Sequence, residues 1–131
     1  MSRSVCRLLA LGLLWLGVVG FAAPNPIGLH LTPVHNAIHL LTGFVTFCVG
    51  FGAGTRTIRG LGLVFGVAYT AFGLLGVVLP SVVGTILADA PELHAAALLP
   101  DNLLSVLLGS AFLFSAFAQA RAAADLRRSY L

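Results

Sequence analysis

Four apolar runs, at 8–23, 38–53, 61–79 and 103–120, take up most of this 131-residue chain. Each is long enough to cross the hydrocarbon core of a bilayer as a helix, the first only marginally so. Hydrocarbon offers no partner to backbone N–H and C=O groups, so a run of this kind must close its hydrogen bonds internally. The glycine-interrupted apolar stretches also lack the alternation of a strand. With 59% hydrophobic and only 8% charged residues, the composition departs far from that of a water-soluble domain. The expectation is an all-α integral membrane four-helix bundle in a single domain, with short connections and no room for a soluble domain.

The direction of the spans follows from charge. The formal net charge of +3 comes from seven arginines and no lysine. Arg3 and Arg7 precede the first run, Arg56 and Arg59 separate the second from the third, and Arg121, Arg127 and Arg128 follow the fourth. All fall on one side of a chain that crosses four times, and the positive-inside rule makes that side cytoplasmic, with both termini in. The segments 24–37 and 80–102 then lie outside, in a bacterial inner membrane. Together with the first turn of the second helix they hold His30, His35, His39, His94, Asp89, Glu92 and Asp101. A competing reading takes the basic start, the apolar stretch after it and the small residues Ala22 and Ala23 as a cleavable signal peptide.

An internal repeat argues for retaining the first helix. Pro33-Val-His-Asn36-Ala-Ile-His39-Leu-Leu-Thr-Gly43 opens the second span and Pro100-Asp-Asn102-Leu-Leu-Ser105-Val-Leu-Leu-Gly109 the fourth. In both, a polar residue stands three positions after the Asn and a glycine seven after it. The chain therefore reads as two copies of one hairpin, both starting inside and hence parallel. Gly50 and Gly54, and Gly62 and Gly66, are spaced four apart, which lets helix backbones approach closely. On the fourth span Ala111, Ser115, Ala116 and Ala120 offer the same, while Phe112, Phe114 and Phe117 fill gaps or face lipid.

Asn36 and Asn102 suit helix N-caps, with His39 and Ser105 placed to answer as in a capping box and Gly43 and Gly109 completing each motif. A sharper reading pairs His35 with His39, four apart and on one face if the helix already starts near Pro33, as ligands for a metal or haem. His30, His94, Asp89, Glu92 or Asp101 could complete such a set, although no HExxH or CxxC motif is present. Quinone or proton chemistry is the third possibility, because an ionisable residue at a helix mouth is a functional candidate. Asp89-Ala-Pro-Glu92 reads as the start of a short helix through Leu99 along the outer surface. Cys6 and Cys48 lie at different depths and read as small apolar residues rather than a disulfide. Trp15 is too deep for an interfacial belt, Tyr130 is near enough to the inner surface to anchor there, and Gln119 reads as interfacial.

The HNxxHLLTG and DNLLxxLLG stretches resemble those of an uncharacterised family of small bacterial four-helix membrane proteins, a domain of unknown function. The resemblance covers about 24–120, and in that family the second motif carries His where Ser105 stands here. It implies a fold and a membrane location.

No nucleophile stands beside a base, and neither a phosphate-cradling loop nor a nucleic-acid motif is present, so no enzyme is expected. The leading expectation is an accessory or structural subunit that packs its small-residue faces against partner helices or against itself and needs no cofactor. The alternative is metal, haem or quinone binding at the outer face through His35 and His39.

Overall fold

The computed structural model describes residues 2–23, 28–29, 31–83, 85 and 95–129, and among these it is all-helical. Helix α1 runs Arg3–Ala22, α2 Pro33–Gly52 and α3 Thr55–Val78; a single turn, α4, covers Pro80–Val83; and α5 runs Ala95–Ser129. Four stretches are long and apolar enough to cross a membrane: α1, α2, α3 and Leu99–Ala118 within α5.

The helices begin upstream of the apolar runs because their starts are set by capping, not by hydropathy. The Ser2 side chain accepts from the Val5 N–H at 3.2 Å to start α1. Thr32 does the same for α2, accepting from the His35 N–H at 3.3 Å, with Pro33 preset for the first helical position. The capping assignment for Asn36 and Asn102 is therefore corrected. Asn36 lies inside the first turns of α2, and Asn102 lies seven residues into α5. Gly54 is likewise not on the second helix but precedes α3, open to its surroundings. At the other end of α3, Leu79 precedes Pro80, a position that disfavours helical backbone. The proposed surface helix over 89–99 falls partly outside the described residues, and its end, from Ala95, is the beginning of α5 itself.

Two antiparallel pairs make most of the contacts, α1 with α2 and α3 with α5. In the first pair the start of α1 meets the end of α2. There Arg7 Nε donates to the Gly50 carbonyl at 3.3 Å while its guanidinium lies 4.1 Å over the Phe51 ring, and Arg3 reaches the Ala53 carbonyl at 3.5 Å. Cations at the carbonyl end of a helix offset its partial negative charge. The Cys6 thiol donates to the Thr46 carbonyl one turn further in, at 3.4 Å.

Glycines set how closely each pair packs. A β-carbon on Gly20 or on Gly76 would collide with the side chain of Asn36 or of Asn102, respectively. One on Gly17 would come within 2.6 Å of Leu40 Cγ, and one on Gly73 within 2.6 Å of the Asn102 carbonyl oxygen. Where apolar lipid removes the hydrophobic drive, such backbone proximity is what gains dispersion energy. The pairs meet at a core of Cys6, Leu13, Ile58, Tyr69 and Phe112, in which the Tyr69 and Phe112 rings stack at 6.3 Å. Large side chains such as Leu8, Trp15, Leu41, Phe44, Val64 and Phe114 face outward.

Candidate functional site

Polar side chains are expensive within a span, and this fold buries several on α2 and α5. His35, Asn36, His39 and Thr46 on α2, and Asp101, Asn102, Ser105 and Ser115 on α5, are all buried. The two asparagines are held there by shape: each fits over a glycine of the neighbouring helix, and Asn36 Nδ2 also donates to the Leu31 carbonyl at 3.1 Å.

His39 is fully buried, and its Nδ1 lies 3.2 Å from the Tyr69 hydroxyl across the junction between α2 and α3. The same hydroxyl lies 2.7 Å from Thr42 Oγ1, which in turn is 2.7 Å from the Ile38 carbonyl one turn back. A carbonyl has no hydrogen, so in its contacts with the Ile38 carbonyl and, at 3.3 Å, the His39 carbonyl the Thr42 hydroxyl is the donor. The short Tyr69–Thr42 contact then needs the tyrosine hydrogen, and the remaining contact needs the hydrogen of His39 Nδ1. This direction, from His39 to Tyr69 to Thr42 to a carbonyl of the preceding turn, puts one hydrogen in each of the three links. In that direction neutral His39 carries its hydrogen on Nδ1 and Nε2 is a lone pair. Nε2 is one of the buried polar atoms without a partner among the described residues, along with Asn36 Oδ1, Thr70 Oγ1 and Asn102 Nδ2.

Beside this chain lies a half-open cavity of about 150 Å3, lined by His35, Ile38 and Thr42 from α2, Phe65, Ala68, Tyr69 and Phe72 from α3, and Ser105 from α5. Its wall is almost entirely apolar. Ala68 and Phe72 are exposed on the flank of α3, in the middle of a segment long enough to span, so the mouth opens sideways. No protein-family model, curated protein or solved structure matches this chain. The reading of the site rests on its own geometry.

The structure brings His35 and His39 together, but not as a chelating pair. Their rings stack with centroids 4.6 Å apart and planes 26° from parallel. A metal must lie in the plane of each imidazole that binds it, and two nearly parallel planes at that separation share no point close to both rings. Among the described residues no group of three or more His, Cys, Asp or Glu is placed to hold a metal; His30, Asp89, Glu92 and His94 lie outside them. For haem the cavity is too small, since it falls below even the range of pockets that take drug-sized molecules, roughly 300–1,000 Å3. What does fit is a single ring: a dry apolar cavity of about 150 Å3 takes a benzene-sized molecule.

Sequence reasoning found His35, His39 and Ser105 but missed Tyr69 and Thr42. Thr42 stands in the HNxxHLLTG stretch without a role assigned to it, and the signal available for Tyr69 was only that a tyrosine in the middle of an apolar span needs a partner for its hydroxyl. The glycines at 17, 20, 73 and 76 were missed as well, although the GVVG and GLLG stretches are visible in the sequence. Tyr130 and the side chain of Gln119 lie outside the described residues.

Proposed function

We propose that this chain is a multi-pass protein of the bacterial inner membrane that binds, from the bilayer, a lipid-soluble molecule presenting one six-membered ring. The site is the cavity between α2, α3 and α5. In this reading the four spans form one bundle of two parallel hairpin repeats, α1–α2 and α3–α5. Both termini and all seven arginines face the cytoplasm. The repeat is supported by matched contacts, Asn36 over Gly20 and Asn102 over Gly76. The orientation is supported by Arg3, Arg7 and Ala53 meeting at one end, away from His35 and Asn36.

The observation that carries the ligand reading is the cavity itself: a ring-sized apolar space reached from the flank of a span. Most such cores are filled by side chains, because an unfilled volume forfeits dispersion contacts. Of the earlier alternatives, metal, haem and quinone, only a quinone-sized ring suits the space. The chain acts as a binding protein without catalysis of its own. Saturable binding of fluorobenzene to the protein in lipid nanodiscs, followed by fluorine NMR, tests this. Binding above that of empty nanodiscs is expected, and it should be abolished by Ala68→Phe, which plugs the mouth. Identical spectra with and without protein would refute the reading.

A subunit that packs on partner helices is the second reading. Its small-residue faces are largely taken up within the chain, where Gly17, Gly20, Gly43, Gly50, Gly66, Gly73, Gly76 and Gly109 all face neighbouring helices. What favours it now is the outward stripe Leu8, Leu11, Trp15 and Val18 on α1, whose spacing of three, four and three suits helix packing. A stoichiometric membrane protein recovered with the chain in mild detergent, and lost on Trp15→Ala, would support that reading.

A further inference from the structure

We infer that the arginine-bearing end of α3 holds one anionic phospholipid, with its headgroup phosphate on Arg56 and Arg59 and an acyl chain along the outward face next to them. The site is separate from the cavity and starts from a charge that the chain leaves unbalanced. Residues 1–88 contain four arginines and no Asp or Glu. Arg3 and Arg7 are turned onto backbone carbonyls and the Phe51 ring at the end of α2. Arg56 and Arg59 are exposed, and among the described residues neither has a hydrogen-bond, ion-pair or ring partner. They stand three apart in the first turns of α3, so they share one face. Arg3 reaches the Ala53 carbonyl two residues before that helix begins, and its positive charge adds to theirs.

Length puts these arginines at the right depth. Helix α3 has 24 residues and so measures about 36 Å, against a hydrocarbon layer of roughly 30 Å. Its first turn therefore reaches the headgroup layer, where lipid phosphates lie. A guanidinium offers paired N–H donors in a fixed fork that matches phosphate oxygens. Directly inward the same side of the helix turns apolar: Gly60 stands four after Arg56, and Val64 and Val67 follow, both largely exposed. Nothing lies within 4 Å of a β-carbon placed on Gly60, so a shallow notch opens beside the arginines. A free phosphate or an acidic soluble protein would match the charge alone. A phospholipid matches both the charge and the apolar track that continues from it.

The experiment titrates the full chain, in non-ionic detergent, with phosphatidylglycerol and with phosphatidylcholine of the same acyl chains, and reads bound lipid by native mass spectrometry. A basic residue at an anionic membrane surface contributes about fivefold in affinity, so two should make phosphatidylglycerol bind roughly 25-fold more tightly. Arg56→Gln combined with Arg59→Gln should bring the two lipids to equal affinity. Arg127→Gln combined with Arg128→Gln removes the same charge beyond the fourth span and should leave the preference in place. Equal affinities in the unaltered protein would overturn the inference, as would a preference that survives the first pair of substitutions or falls as far with the second. Gly60→Phe fills the notch and should weaken phosphatidylglycerol binding several-fold; unchanged binding would overturn the placement of the acyl chain. Glycerophosphoglycerol, the same headgroup without chains, should not displace the lipid at equal concentration, and displacement would reduce the site to one for a plain anion and overturn the lipid as its occupant.

Discussion

Asn36 lies so close over Gly20 that no β-carbon fits between α2 and α1, and the neighbouring pair of helices repeats the arrangement with Asn102 over Gly76. A buried amide in a span is tolerated here because a glycine makes the room for it. Gly20→Ala or Gly76→Ala must push the helices apart or turn the asparagine away, and each should destabilise the fold by about 1–3 kcal/mol. Gly12→Ala, at a position with nothing within 4 Å, should be neutral or slightly stabilising. Unfolding titrations in mixed micelles would measure all three, and an inert Gly20→Ala would show that the contact is not structural.

The hydrogen-bond chain predicts the state of one imidazole. Nitrogen NMR on ring-labelled protein should find neutral His39 protonated at Nδ1, with Nε2 bare. Tyr69→Phe removes the oxygen that both His39 and Thr42 contact. Stranding two buried polar groups should cost about 1–3 kcal/mol, and the His39 tautomer signal should shift or broaden. A His39 found as the Nε2–H tautomer in the unaltered protein would reverse the assigned direction.

The legibility of this chain in its sequence was uneven, for physical reasons. Hydropathy reports where a helix is apolar, not where it starts, so the runs were found while their first turns were missed. Arg3, Arg7, His35 and His39 are polar yet lie within helices, because Ser2 and Thr32 cap the helices ahead of them. The motif around Asn36 and Asn102 was visible, but its role was not: an asparagine near a helix start suits a cap, and only the glycine opposite, distant in sequence, shows it to be a packing residue. His35 and His39 at helical spacing suggested chelation, whereas their rotamers stack the rings. Tyr69 became significant only through the approach of α3 to α2, which no local pattern encodes.

Orientation gives a separate prediction. With Cys6 and Cys48 replaced by Ala, single cysteines at Ser2 and Thr57 should react with a membrane-impermeant maleimide only from the cytoplasmic side. A cysteine at Ser81 should react only from the opposite side. Labelling of positions 2 and 57 from different sides would contradict the arginine argument.

His35 and His39 should not act as a joint metal site, because their stacked rings do not aim at one point. Zinc or cobalt titrated into the purified protein should therefore bind no more tightly than to a variant carrying His35→Gln, as calorimetry would show. A tight site lost with that substitution would require the rings to rearrange.

The most direct test of the ligand reading asks what the protein carries out of its own membrane. Extraction into polymer-bounded native nanodiscs, followed by mass spectrometry of the bound small molecules, should recover a ring-bearing lipid at near-stoichiometric amount with the unaltered chain. That lipid should be depleted in Ala68→Phe, where the cavity mouth is closed. Indistinguishable small-molecule profiles for the two proteins would contradict the account.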